Sequence, residues 1–249
     1  MNYAQAIILA IVQGVTEFLP ISSSGHLVIM QKLFNFSQPP VLFDIFVHVG
    51  TLGAIIIYFK KELKIIIRKN KILLMVVIGT LPAAVIGFFL QNYILQIFNS
   101  LRMVGISLLI TAGLLFSSKF IKEPSRDFKY LNWKDALFVG FFQALAILPG
   151  VSRSGSTIVS GLWRGLKREN AFIFSFSLAI PAILGALVLQ VPALFDSPYF
   201  YLNQSILGMM VAGIVGYFTL RILEKTLKST KFHWFSVYCL ILGLIVLIV

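Results

Sequence analysis

The sequence predicts an all-α polytopic membrane protein: two inverted-topology repeats, six transmembrane spans and two re-entrant helix–loop–helix pairs. Three observations lead to it. Of the 249 residues 58% are hydrophobic and only 12% charged, where soluble domains carry about 25% charge. Apolar runs recur at the length of about 17–25 residues that crosses a bilayer as a helix, and the mean hydropathy is +0.92. Last, the stretch from Gln13 to His26 returns at an offset of 130. Gln13 falls on Gln143, Ser22 on Ser152, Ser24 on Ser154 and Gly25 on Gly155, with Pro20 and Pro149 one step apart.

The basic residues set the threading. Of 21 Lys and Arg, six lie in 60–71, five in 119–134, three in 164–168 and four in 221–231, leaving only Lys32, Arg102 and Arg153 elsewhere. The positive-inside rule makes those four segments cytoplasmic. The polar stretches 35–40, 91–100 and 191–203 are nearly free of Lys and Arg and should face out.

Residues 1–34 are too long for a loop, are broken by Pro, Ser and Gly, and have both ends on one side. They read as a helix–loop–helix entering from outside. Span 44–59 then runs inward, 72–90 outward and 103–118 inward, closing a first repeat of about 1–118. A cytoplasmic linker, 119–134, follows. Residues 135–163 form the second broken pair, entering from inside; spans 171–190, 206–220 and 232–249 complete a second repeat of about 135–249. The whole of 1–249 is thus one integral membrane domain. Irregular backbone at membrane depth is tolerated only where protein buries it or it lines a polar cavity.

A second echo is independent of the first: Gly79 to Gly87 matches Gly208 to Gly216 at an offset of 129. Small residues at such spacing let helix backbones pack closely. Because the threading orients the two halves oppositely, the repeat is inverted. Such folds place their site near the midplane, on discontinuous helices at the repeat interface. The two Ser/Gly loops are where that rule points.

Composition also excludes. No cleavable leader is expected, since the N-terminus lacks a basic region and Gln13 and Glu17 interrupt its apolar run. The single Cys239 makes no intramolecular disulfide. A net charge of +12 would suggest nucleic acid in a soluble chain; here basic loops holding topology and touching anionic lipid explain it.

Within the loops, Glu17 is an acid in an apolar segment, expensive there and a functional candidate by default. Gln13, one helical turn earlier, makes with it an oxygen pair able to hold a divalent cation or orient water. The run Ser22, Ser23, Ser24, Gly25, His26 offers hydroxyls, backbone N–H groups for an anion and an imidazole as base or nucleophile. Ser152, Arg153 and Ser154, with Gly150 and Gly155, match what a phosphate needs: a charged fork, short donors and approachable backbone. Ser156 and Thr157 are read as caps of the following helix. His48, with no serine cluster beside it, is read as structural or supporting.

The runs Glu17–His26, Pro149–Thr157 and Phe174–Gly185 resemble the undecaprenyl-diphosphate phosphatase (bacitracin-resistance) family of bacteria over essentially the whole chain. The family's (Glu/Gln)-x-x-x-Glu motif falls on Gln13 and Glu17, and its P-G-x-S-R-S-x-x-T motif on Pro149 to Thr157. Many members carry a carboxylate where this chain has Gln13. The resemblance implies a multi-pass hydrolase of the bacterial plasma (inner) membrane that removes the terminal phosphate of undecaprenyl diphosphate. That recycles the lipid carrier for peptidoglycan synthesis and confers bacitracin resistance. It implies catalytic roles for Glu17, Ser22, Ser23, His26 and Arg153, and diphosphate binding by Ser24, Gly25, Ser152, Arg153, Ser154 and Thr157. A divalent cation, Mg²⁺ or Ca²⁺, falls on Gln13 and Glu17, with no organic cofactor.

Arg153, the loop N–H groups and the cation would neutralise the transferring phosphoryl. Ser23, then Ser22, or else His26, would attack, with water attack also open. Glu17 would be base, ligand or orienter of His26. The partners expected are the prenyl diphosphate, membrane lipids and, as an open question, a second copy of the chain; nucleic acid is not among them. The active site is expected to face outward. The competing reading is an anion or lipid-phosphate transporter or flippase built on the same inverted-repeat site.

Overall fold

The computed structural model describes residues 1–36, 40–98, 100–122, 124–195, 201–229 and 231–248, with side chains throughout except at 91–98 and 193–195. The expected outward stretches 35–40, 91–100 and 191–203 lie partly outside the described residues. The described elements are helical, with one isolated backbone bridge between Arg126 and Leu166.

Asn2 and Gln5 form a reciprocal capping box that starts α1 (Tyr3–Thr16). Helix α2 (Ser23–Leu33) follows a break at 17–22, so the first segment is a helix–break–helix pair. The second segment repeats the pattern. Asn132 and Asp135 box the start of α7 (Trp133–Leu145), and α8 (Arg153–Trp163) follows a break at 146–152. In each box a side chain accepts from an N–H that has no partner within its helix.

Among the described residues six helical segments are long and apolar enough to cross a membrane: α3 (Val41–Tyr58), α5 (Asn70–Phe98), α6 (Leu101–Ser117) with the turn Ser118–Phe120 after it, α9 (Arg168–Phe195), α10 (Leu202–Lys228), and α11 (Phe235–Ile248) with the turn Lys231–Trp234 before it. Several outrun their expected bounds, α10 beginning four residues early and ending eight late. The apolar pattern stops at the first polar residue. The helix continues, because its backbone groups stay satisfied and Lys or Glu tips reach back to the polar zone. The basic segment 60–71, expected as a loop, contains a further amphipathic helix, α4 (Lys60–Arg68).

Packing exchanges partners between the halves. Helix α1 lies on α10 of the second half, while α7 lies on α5 of the first; α6 and α11 pack together. Close approach decides some of this. A Cβ built at Gly50 of α3 would sit 2.1 Å from the carbonyl oxygen of Met209 on α10. Of the echoed glycines, Gly79, Gly208 and Gly216 sit at tight contacts, with Leu178, Phe43 and Phe18 respectively; Gly87 has ordinary room.

The basic segments gather at one end of the bundle. Lys71 Nζ donates to the Lys129 carbonyl (2.8 Å), and Lys167 pairs with Asp127 (2.7 Å). The turn after α6 touches Lys231–Trp234. Asp135 is buried there, bound by Arg126 Nη2 and Arg164 Nε, both at 2.7 Å. Burial pushes its carboxyl up, and the two guanidiniums more than reverse that, holding it below the usual carboxylate range.

Candidate active site

The first loop is set by where α1 stops. Glu17 still donates its N–H to the Gln13 carbonyl (2.9 Å), so the two side chains stack one turn apart, and Gln13 Nε2 donates to Glu17 Oε2 (3.1 Å). Pro20 then ends the run. Ser22 adopts φ +72°, a left-handed conformation uncommon outside glycine, and caps α2 by accepting from the Gly25 N–H. Strained backbone of this kind clusters at functional sites.

The second loop copies the device. Ser152 caps α8 by accepting from the Gly155 N–H (3.1 Å), and Gly150 takes φ +101°. A Cβ at Gly150 would meet the Val104 carbonyl oxygen at 2.5 Å, so only glycine fits. The loops then lock. Ser22 Oγ also accepts from the Gly150 N–H (3.1 Å), and Ser154 Oγ donates to the Leu19 carbonyl (3.3 Å). A Cβ at Gly25 would lie 3.0 Å from Gly150 Cα, and one at Gly155 would lie 3.2 Å from Pro20 Cβ. The contact is reciprocal, each loop's glycine seated on the other loop's turn.

At that junction the charged groups meet. Arg153, the first residue of α8, donates from Nη2 to Glu17 Oε1 at 2.6 Å across 136 residues of sequence. Ser23 Oγ donates to Glu17 Oε2, also at 2.6 Å. One carboxylate therefore holds a guanidinium on one oxygen and a serine hydroxyl on the other. The Arg153 guanidinium lies over the Phe176 ring at 5.6 Å, and its Nη1 is buried without a partner. Ser23 is half-buried and the Arg153 side chain is 15% exposed, so a ligand can reach both. A hydroxyl bonded to a carboxylate beside a guanidinium could supply a phosphoryl transfer with a nucleophile, a base and a charge clamp.

Residues 6–245 match the model of a family described as "Bacitracin resistance protein BacA". The chain belongs to this family. It is 42% identical over 254 residues to an undecaprenyl-diphosphatase of Carboxydothermus hydrogenoformans, covering 100% of this chain and 97% of that one. A relative of the same name from Alkaliphilus metalliredigens is 40% identical over 271 residues (100% and 98% covered), and one from Korarchaeum cryptofilum is 40% identical over 267 (99% of each).

In this BacA-family chain the sequence candidates other than His26 and Thr157 divide into two groups. Gln13, Glu17, Ser23 and Arg153 form the charged centre. Ser22, Ser24, Gly25, Ser152 and Ser154 build and join the loops: Ser24 Oγ lies 3.3 Å from Ser22 Oγ, as Ser154 Oγ does from Ser152 Oγ. Thr157 and Ser156 are not caps. Ser152 is the cap, and both lie inside α8, where Thr157 Oγ1 donates to the Arg153 carbonyl (2.8 Å) and meets Ser175 Oγ at 2.6 Å. Gln143, the repeat counterpart of Gln13, is buried with neither amide atom bonded.

His26 is not oriented by Glu17. Its Nδ1 donates to the Ser22 carbonyl, which can only accept, leaving Nε2 to accept from the Tyr238 hydroxyl, each at 2.7 Å. His48, by contrast, reaches Glu17 Oε2 at 3.9 Å and donates from Nδ1 to the Asp44 carbonyl. Sequence reading missed Tyr238, and also Thr111, whose Oγ1 accepts from the Ser152 N–H (3.0 Å) and donates to the Gly150 carbonyl (2.8 Å). Ser175 and Phe176 lie in the run Phe174–Gly185 but were given no role there. Hydroxyls and rings in apolar helices carry no signal of their own; the repeat in Phe174, Ser175, Phe176, Ser177 was the available hint.

A divalent cation fits part of this donor set. Gln13 Oε1 is buried with no partner beside the Glu17 carboxylate. Among the described residues no three His, Cys, Asp or Glu gather into a full cage. Mg²⁺ is commonly held by one or two carboxylates together with substrate phosphates and water.

Proposed function

We propose that this chain hydrolyses undecaprenyl diphosphate to undecaprenyl phosphate and inorganic phosphate at the junction of the two loops. The single observation that carries the site is the Ser23–Glu17–Arg153 contact, which gives a family member a nucleophile, a base and a phosphate clamp within hydrogen-bond reach. Ser23 Oγ attacks the terminal phosphorus while Glu17 Oε2 takes the hydroxyl proton. The anhydride bond breaks, and undecaprenyl phosphate leaves with its electron pair. Arg153, whose side chain is 15% exposed beside Glu17, holds the phosphoryl oxygens as charge builds. Glu17 hands its proton to the departing undecaprenyl phosphate and, a carboxylate again, takes one from a water that attacks the phosphoserine, releasing inorganic phosphate while that proton returns to Ser23 Oγ. A bound Mg²⁺ or Ca²⁺ would be held by Gln13 Oε1 and Glu17 and would supply Lewis-acid neutralisation of the diphosphate.

The prenyl tail stays in lipid while the diphosphate enters between the loops. The two helix–break–helix pairs are read as re-entrant from opposite sides, and the chain as a bacterial inner-membrane protein with its site open outward. The gathering of the basic segments at one end supports that orientation. A carrier of lipid phosphate would need Arg153 and the loop donors but not a serine bonded to a carboxylate.

The test is phosphate release from undecaprenyl diphosphate by detergent-purified protein, with and without Mg²⁺ or Ca²⁺, beside Glu17→Ala. Metal-dependent release lost in Glu17→Ala is the expected result; no release from well-folded wild type would overturn the assignment.

A further inference from the structure

Away from the loops, α4 leaves a groove of about 900 Å³ against α3, α5 and α9. Its walls are apolar: Leu63 and Ile66 from α4, Val76 and Leu81 from α5, Ile180 and Pro181 from α9. Two hydroxyls line it, and both are spent on their own helices. Thr80 Oγ1 donates to the Val76 carbonyl (2.8 Å) and Ser177 Oγ to that of Ile173 (2.7 Å). Nothing inside asks for a polar ligand.

The rim is the opposite. Lys60, Lys64 and Arg68 line the groove at steps of four along α4, a stripe on one face of the helix. All three are exposed, and among the described residues none has an ion-pair partner. Three unpaired cations edging an apolar groove on an amphipathic helix suit one occupant: a chain that wants lipid surroundings, joined to a head that carries negative charge. A neutral lipid would fill the groove and leave the cations unmatched.

We propose that this groove is a binding site for an anionic phospholipid, its acyl chain between α4, α5 and α9 and its phosphate on Lys60, Lys64 and Arg68. The site is separate from the loops but shares a helix with them. Ser175 and Phe176 of α9 hold Thr157 and the Arg153 guanidinium, and Ser177, Ile180 and Pro181 of the same helix line the groove. A lipid seated there braces the helix that carries the seat of Arg153.

The full chain, purified in neutral detergent, is presented with equimolar phosphatidylglycerol and phosphatidylcholine of identical chains, and bound lipid is counted by native mass spectrometry. This readout needs no turnover, so it stands apart from the phosphatase assignment. The first phosphatidylglycerol is expected to bind about tenfold more tightly, equivalent to about 1.4 kcal/mol. Lys60→Gln/Lys64→Gln/Arg68→Gln should bring the ratio close to one while phosphatidylcholine binding is unchanged. Val77→Trp, which fills the groove, should weaken both lipids, with lipid-free melting confirming that each variant is folded. Equal binding of the two lipids by wild type, or a preference that survives the triple substitution, overturns the proposal. So does one-for-one displacement of phosphatidylglycerol by undecaprenyl phosphate, which would give the groove to the product.

Discussion

Replacing Arg153 by Ala removes the proposed phosphate clamp and leaves Glu17 facing the loops without its cation. Phosphate release should fall by at least about 100-fold, the scale of one lost charge-stabilising donor, with the protein still inserted. Arg153→Lys should also be impaired, since a point charge on a flexible stem cannot hold Glu17 and offer a second donor at once. The serines separate by role. Ser23→Ala should abolish turnover and leave no phosphoserine in a rapid quench, whereas Ser22→Ala should cost about 1 kcal/mol of stability through its lost cap. Retained turnover in Ser23→Ala would pass the nucleophile to His26 or water. Tyr238→Phe, which removes the partner of His26 Nε2, should leave kcat and KM near wild type, because the Ser23–Glu17–Arg153 centre does not use it; a clear fall in kcat would bring His26 into the reaction. At this scale Glu17 and Arg153 stood out as candidates because charge in an apolar run is expensive and needs a reason; their contact is what the structure adds. Tyr238 and Thr111 did not stand out, since a hydroxyl in a membrane helix reads the same whether it orders a site or bonds its own backbone.

Helices α2 and α8 are short, and each begins at the loop that positions its first-turn residue. Gly150 is where that geometry is least forgiving: its φ of +101° and the Val104 carbonyl leave no place for a methyl group. Gly150→Ala should strain the loop by about 1–3 kcal/mol, and thermal inactivation in detergent should show the loss together with activity. Another test lies at the start of α7. Asp135, its carboxyl held low by Arg126 and Arg164, stabilises the fold above the ordinary carboxylate value of about 3.9 and ceases to as pH falls through its depressed value. Thermal stability should therefore hold down to about pH 4 and drop below it, and Asp135→Asn should be less stable near neutrality and lose that acid step. The break in each pair was visible from Pro, Ser and Gly. Helix α4 was not, because charge density in 60–71 masked an apolar stripe only nine residues long.

Across the whole molecule, the apolar runs and the basic segments made the six spans readable, and the echo at an offset of 130 pointed to where two loops meet. The exchange of partners was not readable, because a sequence shows which face of a helix is apolar but not whose groove receives it. Cysteine labelling from outside the cell should find 60–71 protected; labelling there would reverse the threading.

The bond between Glu17 and Arg153 also sets a schedule. The acid is made with the first helix, and the arginine that neutralises it 136 residues later, on the order of ten seconds at about 5–20 residues per second. Through that interval α1 lacks α10, the helix it will rest on, and the loop lacks the Gly150 N–H that completes it. The nascent first half therefore stays incomplete until the second half supplies these partners. Two separately expressed halves, divided within 119–134, should regain activity only when made together.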